Sequence, residues 1–215
     1  MVNALDKVQP KNKTQLKQLI NYAFKHNIYD LNFIDTSEIT DMSLLFNNCK
    51  HNFDVSGWDV SNVINMGYTF YKCNVFTGKG LENWDISNVT NMYCMFTKCK
   101  IFNRNLSNWD VSNVKNMSYM FYCCKNFDCD LSNWNVSNVT NMRHMLRLCK
   151  KFDCDLSNWN VSNVTDMYSM FTACENFKGK GLENWDVSKV KDMHYMFNGC
   201  DKMTIPSWYK LYHRK

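Results

Sequence analysis

Apolar side chains return along this chain in one fixed order. Trp58, Trp84, Trp109, Trp134, Trp159 and Trp185 each open a Trp-Asx-Val/Ile-Ser phrase, at intervals of 25 or 26 residues. A second phrase keeps the same period: Met42, Met66, Met92, Met117, Met142, Met167 and Met193 are each followed by Phe or Leu four residues on and by Cys seven residues on. Self-similarity at this period is the signature of a repeat array. Within one unit, residues 127–150, Trp134 and Val136 alternate with Asn135 and Ser137, the period of two expected of a short strand with one face buried. From Val139 the apolar positions fall at 139, 142, 145, 146 and 149, one stripe of a helix of about three turns. The pattern predicts strand, tight turn, short helix and return loop in every unit.

Units of this kind stacked in one direction give an α/β, leucine-rich-repeat-like right-handed solenoid, with a parallel sheet of one short strand per repeat and a short helix on the other side. Seven such units span residues 31–203. Residues 1–30 form an N-terminal capping segment, with a helix over 13–26 carrying Leu16, Leu19, Ile20, Ala23 and Phe24 on one face behind Pro10 and Thr14. Residues 204–215, with Ile205, Trp208, Leu211 and Tyr212 behind Pro206, form the C-terminal cap. Strands stack about 4.8 Å apart while helices need about 8 to 10 Å, so the expected stack bends with its strands on the concave side.

The polar positions carry the candidate chemistry. The outward column after each Trp reads Asp59, Asp85, Asp110, Asn135, Asn160 and Asp186, followed by Ser61, Ser87, Ser112, Ser137, Ser162 and Ser188. Such a face binds a cation, a row of glycan hydroxyls or a basic partner, or else it solvates the sheet and bonds from rung to rung. Asn62, Asn88, Asn113, Asn138 and Asn163 suit turns and caps. Tyr68, Tyr93, Tyr119, Tyr168 and Tyr195, with His144 and His194, fall on the opposite, helix side. Met pairs such as Met117 and Met120 read as core.

Cysteine is abundant, at 11 residues. Cys49, Cys73, Cys99, Cys124, Cys149, Cys174 and Cys200 take the last inward position of each unit, where a free thiol acts as a small apolar group. Cys94, Cys123, Cys129 and Cys154 stand in columns held elsewhere by Tyr68, Lys72 and Arg104, and accessibility is expected of them. Cys129 and Cys154 share a column in adjacent units, within reach of a disulfide; the odd total and the absence of a secretion signal favour a reduced, unpaired state. No Cys-x-x-Cys pairs with another at zinc-ligand spacing, so no metal and no cofactor are expected. The insertions around Gly78-Lys79-Gly80 and Gly179-Lys180-Gly181 lack the spacing of a phosphate loop and read as loop bulges. The five His are scattered and the carboxylates form an array instead of converging, so no enzyme activity is expected.

Hydrophobic residues make up 45% of the chain, which argues for a packed interior and against disorder. The net charge of +5 collects at the ends, in Lys7, Lys11, Lys13, Lys17, Lys25, Lys210, Arg214 and Lys215. A basic stripe along one face is missing, so nucleic acid is not an expected partner. The opening Met-Val-Asn-Ala-Leu-Asp-Lys has no apolar signal segment or lipidation cysteine, and no apolar run is long enough to span a bilayer. Nothing in the chain directs secretion, and its compartment stays open.

The unit Asn-Trp-Asp-Val-Ser-Asn-Val-x-Asn-Met-x-x-Met-Phe-x-x-Cys resembles the 25-residue repeat of BspA-like surface proteins, over about residues 31–203. Members of that family occur on bacterial surfaces, with related arrays in giant viruses. The resemblance implies a leucine-rich-repeat-like solenoid and a role in adhesion or host interaction. The expectation is a non-catalytic interaction or adhesion module, monomeric or weakly self-associating. Its partner is a protein or, as the other class, a glycan. The alternative is a structural protein, intracellular or of a virion, that associates with copies of itself.

Overall fold

A computed structural model describes residues 7–212, so the first six residues of the expected N-terminal segment and the last three of the expected C-terminal cap, Arg214 and Lys215 among them, lie outside the described residues. The amphipathic segment behind Pro10 forms α1, Lys13–Lys25. Asn12 caps it, its side chain accepting from the Gln15 amide, and Leu16, Ile20 and Ala23 are buried against the first coil. Near the other end lies α2, Ser207–Tyr212. Trp208 of α2 stacks on Trp185 at 6.5 Å and donates through Nε1 to the Leu182 carbonyl at 2.8 Å.

Between these caps the chain winds into coils built from tight turns. In one coil the amide of Trp134 donates to Leu131, Val139 to Val136, Met145 to Met142, Cys149 to Leu146 and Phe152 to Cys149, at 2.9 to 3.2 Å. Each bond spans three residues, and each turn brings the next apolar side chain inward. Leu131, Trp134, Val136, Val139, Met142, Met145, Leu146, Cys149 and Phe152 are all at most 1% exposed.

The expected α/β, leucine-rich-repeat-like right-handed solenoid with its parallel sheet and outer helices is therefore corrected. Among the described residues the only α-helices are α1 and α2, two short 3-10 turns lie at Leu81–Asn83 and Leu182–Asn184, and there is no strand. Extended pairing is limited to isolated parallel bridges, six of them in one file from Asp41 through Asn65, Asn91, Asn116, Asn141 and Asp166 to Asp192. The helix fails to form because two positions of every coil are left-handed. One column holds Leu44, Tyr68, Cys94, Tyr119, His144, Ser169 and Tyr195; the other holds Asn48, Lys72, Lys98, Cys123, Leu148 and Ala173, and then Gly199. A residue at positive φ every fourth position turns successive amides out of the path that leads to the carbonyl four residues back.

Those amides bond to the next coil instead. The amide of each leading Met, and those two, four and six residues after it, donate to carbonyls about 25 residues on: Met142 to Asp166, His144 to Tyr168, Leu146 to Met170 and Leu148 to Thr172. The same four bonds recur at all six junctions from Met42 to Asn198, at 2.7 to 3.0 Å. At each junction a bond also runs the other way, as from Thr165 to Thr140 at 2.8 Å. Two left-handed residues per coil cost about 2 to 4 kcal/mol, and five bonds at about 0.5 to 1.5 kcal/mol each offset a strain of that size. The bend inferred from wide helices beside narrow strands also loses its basis, since the side assigned to helices carries the backbone ladder.

Aromatic files fill the interior. Phe46, Phe70, Phe96 and Phe121 stack in succession at 5.3 to 5.6 Å, with ring planes within 7° of parallel. Each Trp donates through Nε1 to a carbonyl of the preceding coil, as Trp134 does to Leu106 at 2.9 Å and Trp159 to Leu131 at 2.9 Å. The cysteines of the inward column repeat this: Cys99, Cys124 and Cys149 donate through Sγ to Phe70, Phe96 and Phe121. All of that column is buried except Cys49, which is half-buried.

Candidate functional site

The Asx/Ser face is made of turns. The Ser61 amide donates to Asp59 Oδ1 at 3.0 Å, and the same bond joins Ser87 to Asp85, Ser112 to Asp110, Ser137 to Asn135, Ser162 to Asn160 and Ser188 to Asp186, at 2.9 to 3.2 Å. These are Asx turns, in which a short side chain satisfies the amide two residues on. The following Asn ties coil to coil: Nδ2 of Asn62, Asn88, Asn113, Asn138 and Asn163 donates to the Ser carbonyl of the coil before, at 2.7 to 2.8 Å. The expected turn and cap role of these Asn residues takes the form of a ladder.

The six Asx residues are exposed, and five of the six Ser are half-buried, Ser188 being exposed. The Ser87 hydroxyl and amide hold the Asp85 carboxyl below its ordinary range, and the Ser188 hydroxyl and amide do the same for Asp186. Among the described residues no ion pair reaches Asp59, Asp85 or Asp110. One carboxylate oxygen of each is used by its turn, and three negative charges in register line the face at one coil spacing, about 4.8 Å.

Three acids beside this face are treated differently. Lys79 pairs with Asp54, Lys178 with Asp153 and Lys180 with Asp155, each lysine reaching back one coil. These lysines come from the two inserted loops, which act as bulges that carry a cation onto the preceding coil. Gly181 is left-handed at φ 88°, and a Cβ there would lie 2.2 Å from the Ser157 amide nitrogen, so no other residue fits. Burial raises the Asp54 carboxyl, but Lys79, Ser56 and Asn32 outweigh it and hold the group well below the usual carboxylate range.

Cys129 and Cys154 line one open recess of about 390 Å³ with Asp128, Asp130, Ser132, Asp153 and Asp155. Both are free thiols, like every cysteine of the chain. Cys154 Sγ accepts from the Leu131 amide at 3.2 Å, and Cys129 Sγ donates to the Arg104 carbonyl. The accessibility expected of the odd cysteines is corrected: Cys94, Cys129 and Cys154 are buried and only Cys123 is half-buried. Burial pushes the Cys154 thiol up to about 12 and the Cys129 thiol upward as well, so neither is a ready nucleophile. Among the described residues no three His, Cys, Asp or Glu are placed to hold a metal ion, and no helix is long and apolar enough to cross a membrane.

On the far side the rings form one file. Tyr68, Tyr93, Tyr119, His144, Tyr168 and Tyr195 follow one another at centroid distances of 4.6 to 5.9 Å, mostly edge to face. His144 takes a tyrosine's place in it. Burial, with Arg147 and Arg143 adding repulsion, pushes its imidazole down to about 4. Sequence reasoning missed the left-handed columns, the Trp Nε1 ladder and the lysine clamps. Only the turns had a signal in the residue order, the Asx-x-Ser spacing of Asp54 to Ser56 and Asp130 to Ser132.

A stack of turn-built coils with a periodic polar face defines a repeat protein. The chain belongs to the family described as Mycoplasma protein of unknown function, DUF285, whose model matches residues 14–128 and 102–208. No curated protein and no solved structure matches the chain.

Proposed function

We propose that the protein is a non-catalytic interaction module that holds a protein partner by its basic side chains, through the Asx/Ser face at Asp59, Asp85 and Asp110. One observation carries this reading. Asp54, Asp153 and Asp155 beside the face are clamped by the chain's own lysines, whereas these three, which stand in register, have no ion pair among the described residues. The resemblance of the repeat unit to BspA-like surface proteins supports adhesion or host interaction as the setting.

Exchanging Asp59, Asp85 and Asp110 together for Asn tests the reading, because Asn keeps the turn-forming Oδ1 and removes only the charge. Exposed ion pairs contribute about 0.2 to 1 kcal/mol each, so loss of three weakens binding by up to about a hundredfold. Affinity capture at physiological salt with both forms, each verified as folded, reads the effect. A partner retained equally by the triple variant sinks the assignment to this face.

A further inference from the structure

Three successive coils carry unpaired charge on both sides at once. Asp59, Asp85 and Asp110 stand on the Asx/Ser face, and the same coils carry Lys72, then Lys98 and Lys100, then Lys125. Each acid is separated from its lysine by 13 to 15 residues, about half of a 25-residue circuit, so the two rows lie on opposite sides of the stack. The lysines belong to the ladder side, where the amides of Lys72 and Lys98 donate to Thr97 and Tyr122. Lys100 and Lys125 are exposed, and Lys72 and Lys98 are half-buried. Among the described residues no carboxylate pairs with any of the four; Lys72 Nζ lies over the Tyr71 ring, 5.0 Å from its centroid. In the following coil the Asx residue is Asn135 and Lys150 is drawn to Glu175.

Like charges on neighbouring rungs repel. The chain's own lysines quench Asp54, Asp153 and Asp155, yet both of these rows are left unquenched at the same levels. Both rows keep one coil spacing, about 4.8 Å, so a copy displaced sideways without rotation sets Asp59 beside Lys72, Asp85 beside Lys98 and Lys100, and Asp110 beside Lys125, level by level. A two-fold pair would set acids on acids or lysines on lysines. The contact is therefore heterologous, and because its two surfaces face opposite ways it does not close on itself. We propose that the basic partner of Asp59, Asp85 and Asp110 is the lysine row of a second copy of this chain, and that copies line up side by side with their stacks parallel, an inference that rests on the Asx/Ser face being the binding surface. The match in level and spacing between the two rows selects a copy of the chain over an unrelated basic protein, which has no reason to share this period.

Sedimentation velocity of the intact chain and of two neutralised variants tests this. One variant carries Asp59→Asn, Asp85→Asn and Asp110→Asn, which keep the turns; the other carries Lys72→Gln, Lys98→Gln, Lys100→Gln and Lys125→Gln. Circular dichroism verifies that each is folded. The intact chain should associate with rising concentration at about 20 mM salt and return to monomer at about 500 mM. Either variant alone should associate more weakly, by up to about a hundredfold. Mixed, the two should form an equimolar pair and grow no further, because the acids of the Gln variant meet the lysines of the Asn variant and the surfaces left over are neutral. An intact chain that stays monomeric at low salt, an Asn variant that associates as strongly as the intact chain, or a mixture no more associated than its components overturns the proposal. Loss of association in the Gln variant alone assigns the lysine row to some other acidic surface and also overturns it. A monomeric intact chain that captures a different protein, and loses it in the Asn variant, strikes the second copy and leaves the Asx/Ser face as the binding surface.

Discussion

Lys98 offers the sharpest test of a turn-built coil against a helix, because glycine and alanine exchange rank there. Its φ is 63°, its amide donates to the Tyr122 carbonyl at 2.7 Å, and its side chain is half-buried. Lys98→Gly and Lys98→Ala both remove the lysine chain and both keep the amide, so their difference isolates the backbone. A left-handed alanine carries about 1 to 2 kcal/mol of strain that glycine escapes. Glycine gives back about 0.4 to 1 kcal/mol through its freer unfolded chain. Lys98→Gly should therefore be more stable than Lys98→Ala by about 0.5 to 1 kcal/mol, about 1 to 4 °C in melting temperature. In a helix the order reverses, with alanine ahead by about 1 kcal/mol. Gly199→Ala checks the same point: its φ is 74° and an added Cβ meets nothing nearer than Ala173 at 3.5 Å, so any loss is conformational and not a clash. Urea melts followed by tryptophan fluorescence, compared by midpoint at unchanged slope, read both. An alanine at position 98 that outlasts glycine would refute the left-handed column.

Trp134→Phe keeps the ring in its file but strips the donor from the Leu106 carbonyl, and the orphaned acceptor should cost about 1 to 3 kcal/mol in urea; a change below about 0.5 kcal/mol would mean the indole ladder holds nothing together. Stability should fall with acidification in two windows. His144 is pushed down to about 4 from 6.5, so the unfolded chain takes up its proton first and stability declines as pH drops from 6.5 toward 4; His144→Tyr should remove that slope, and an unchanged slope counts against a buried neutral imidazole. Asp155 is held down to about 2 by the Lys180 ammonium and Ser157, so its contribution is present above 3.8 and lost as pH falls toward 2; Asp155→Asn should flatten the lower window in an acid titration followed by circular dichroism.

The period, the inward columns and the capping segment before Leu16 were legible because burial is written directly in apolar spacing. The conformation linking those columns was not. Positions 139, 142, 145, 146 and 149 fit a helical stripe and a run of three-residue turns equally well, and burial alone does not separate them. The residues that decide are His144 and Leu148, whose side chains carry no preference for positive φ; neighbouring coils impose it by taking their amides. Tertiary bonding outweighed local propensity. The Asx/Ser column was read correctly as outward and polar, but its first duty is the turn at Ser61 and its equivalents, which leaves only the spare carboxylate oxygens for a partner. The tyrosines fall on the side opposite the Asx column in sequence, and what the residue order did not reveal is that each ring from Tyr68 to Tyr168 packs against that of the next coil.

Because four bonds per junction point the same way and each coil touches only its neighbours, the molecule should yield to stretching from its end one coil at a time. The bonds of a junction lie along the stack, so tension applied along that axis opens them in succession and never loads all junctions in shear together. Each coil let go would lengthen the chain by about 85 Å, taking 25 residues at about 3.4 Å. The chain would then behave as a ratcheted tether, paying out slack in equal steps while the coils still closed keep their shape.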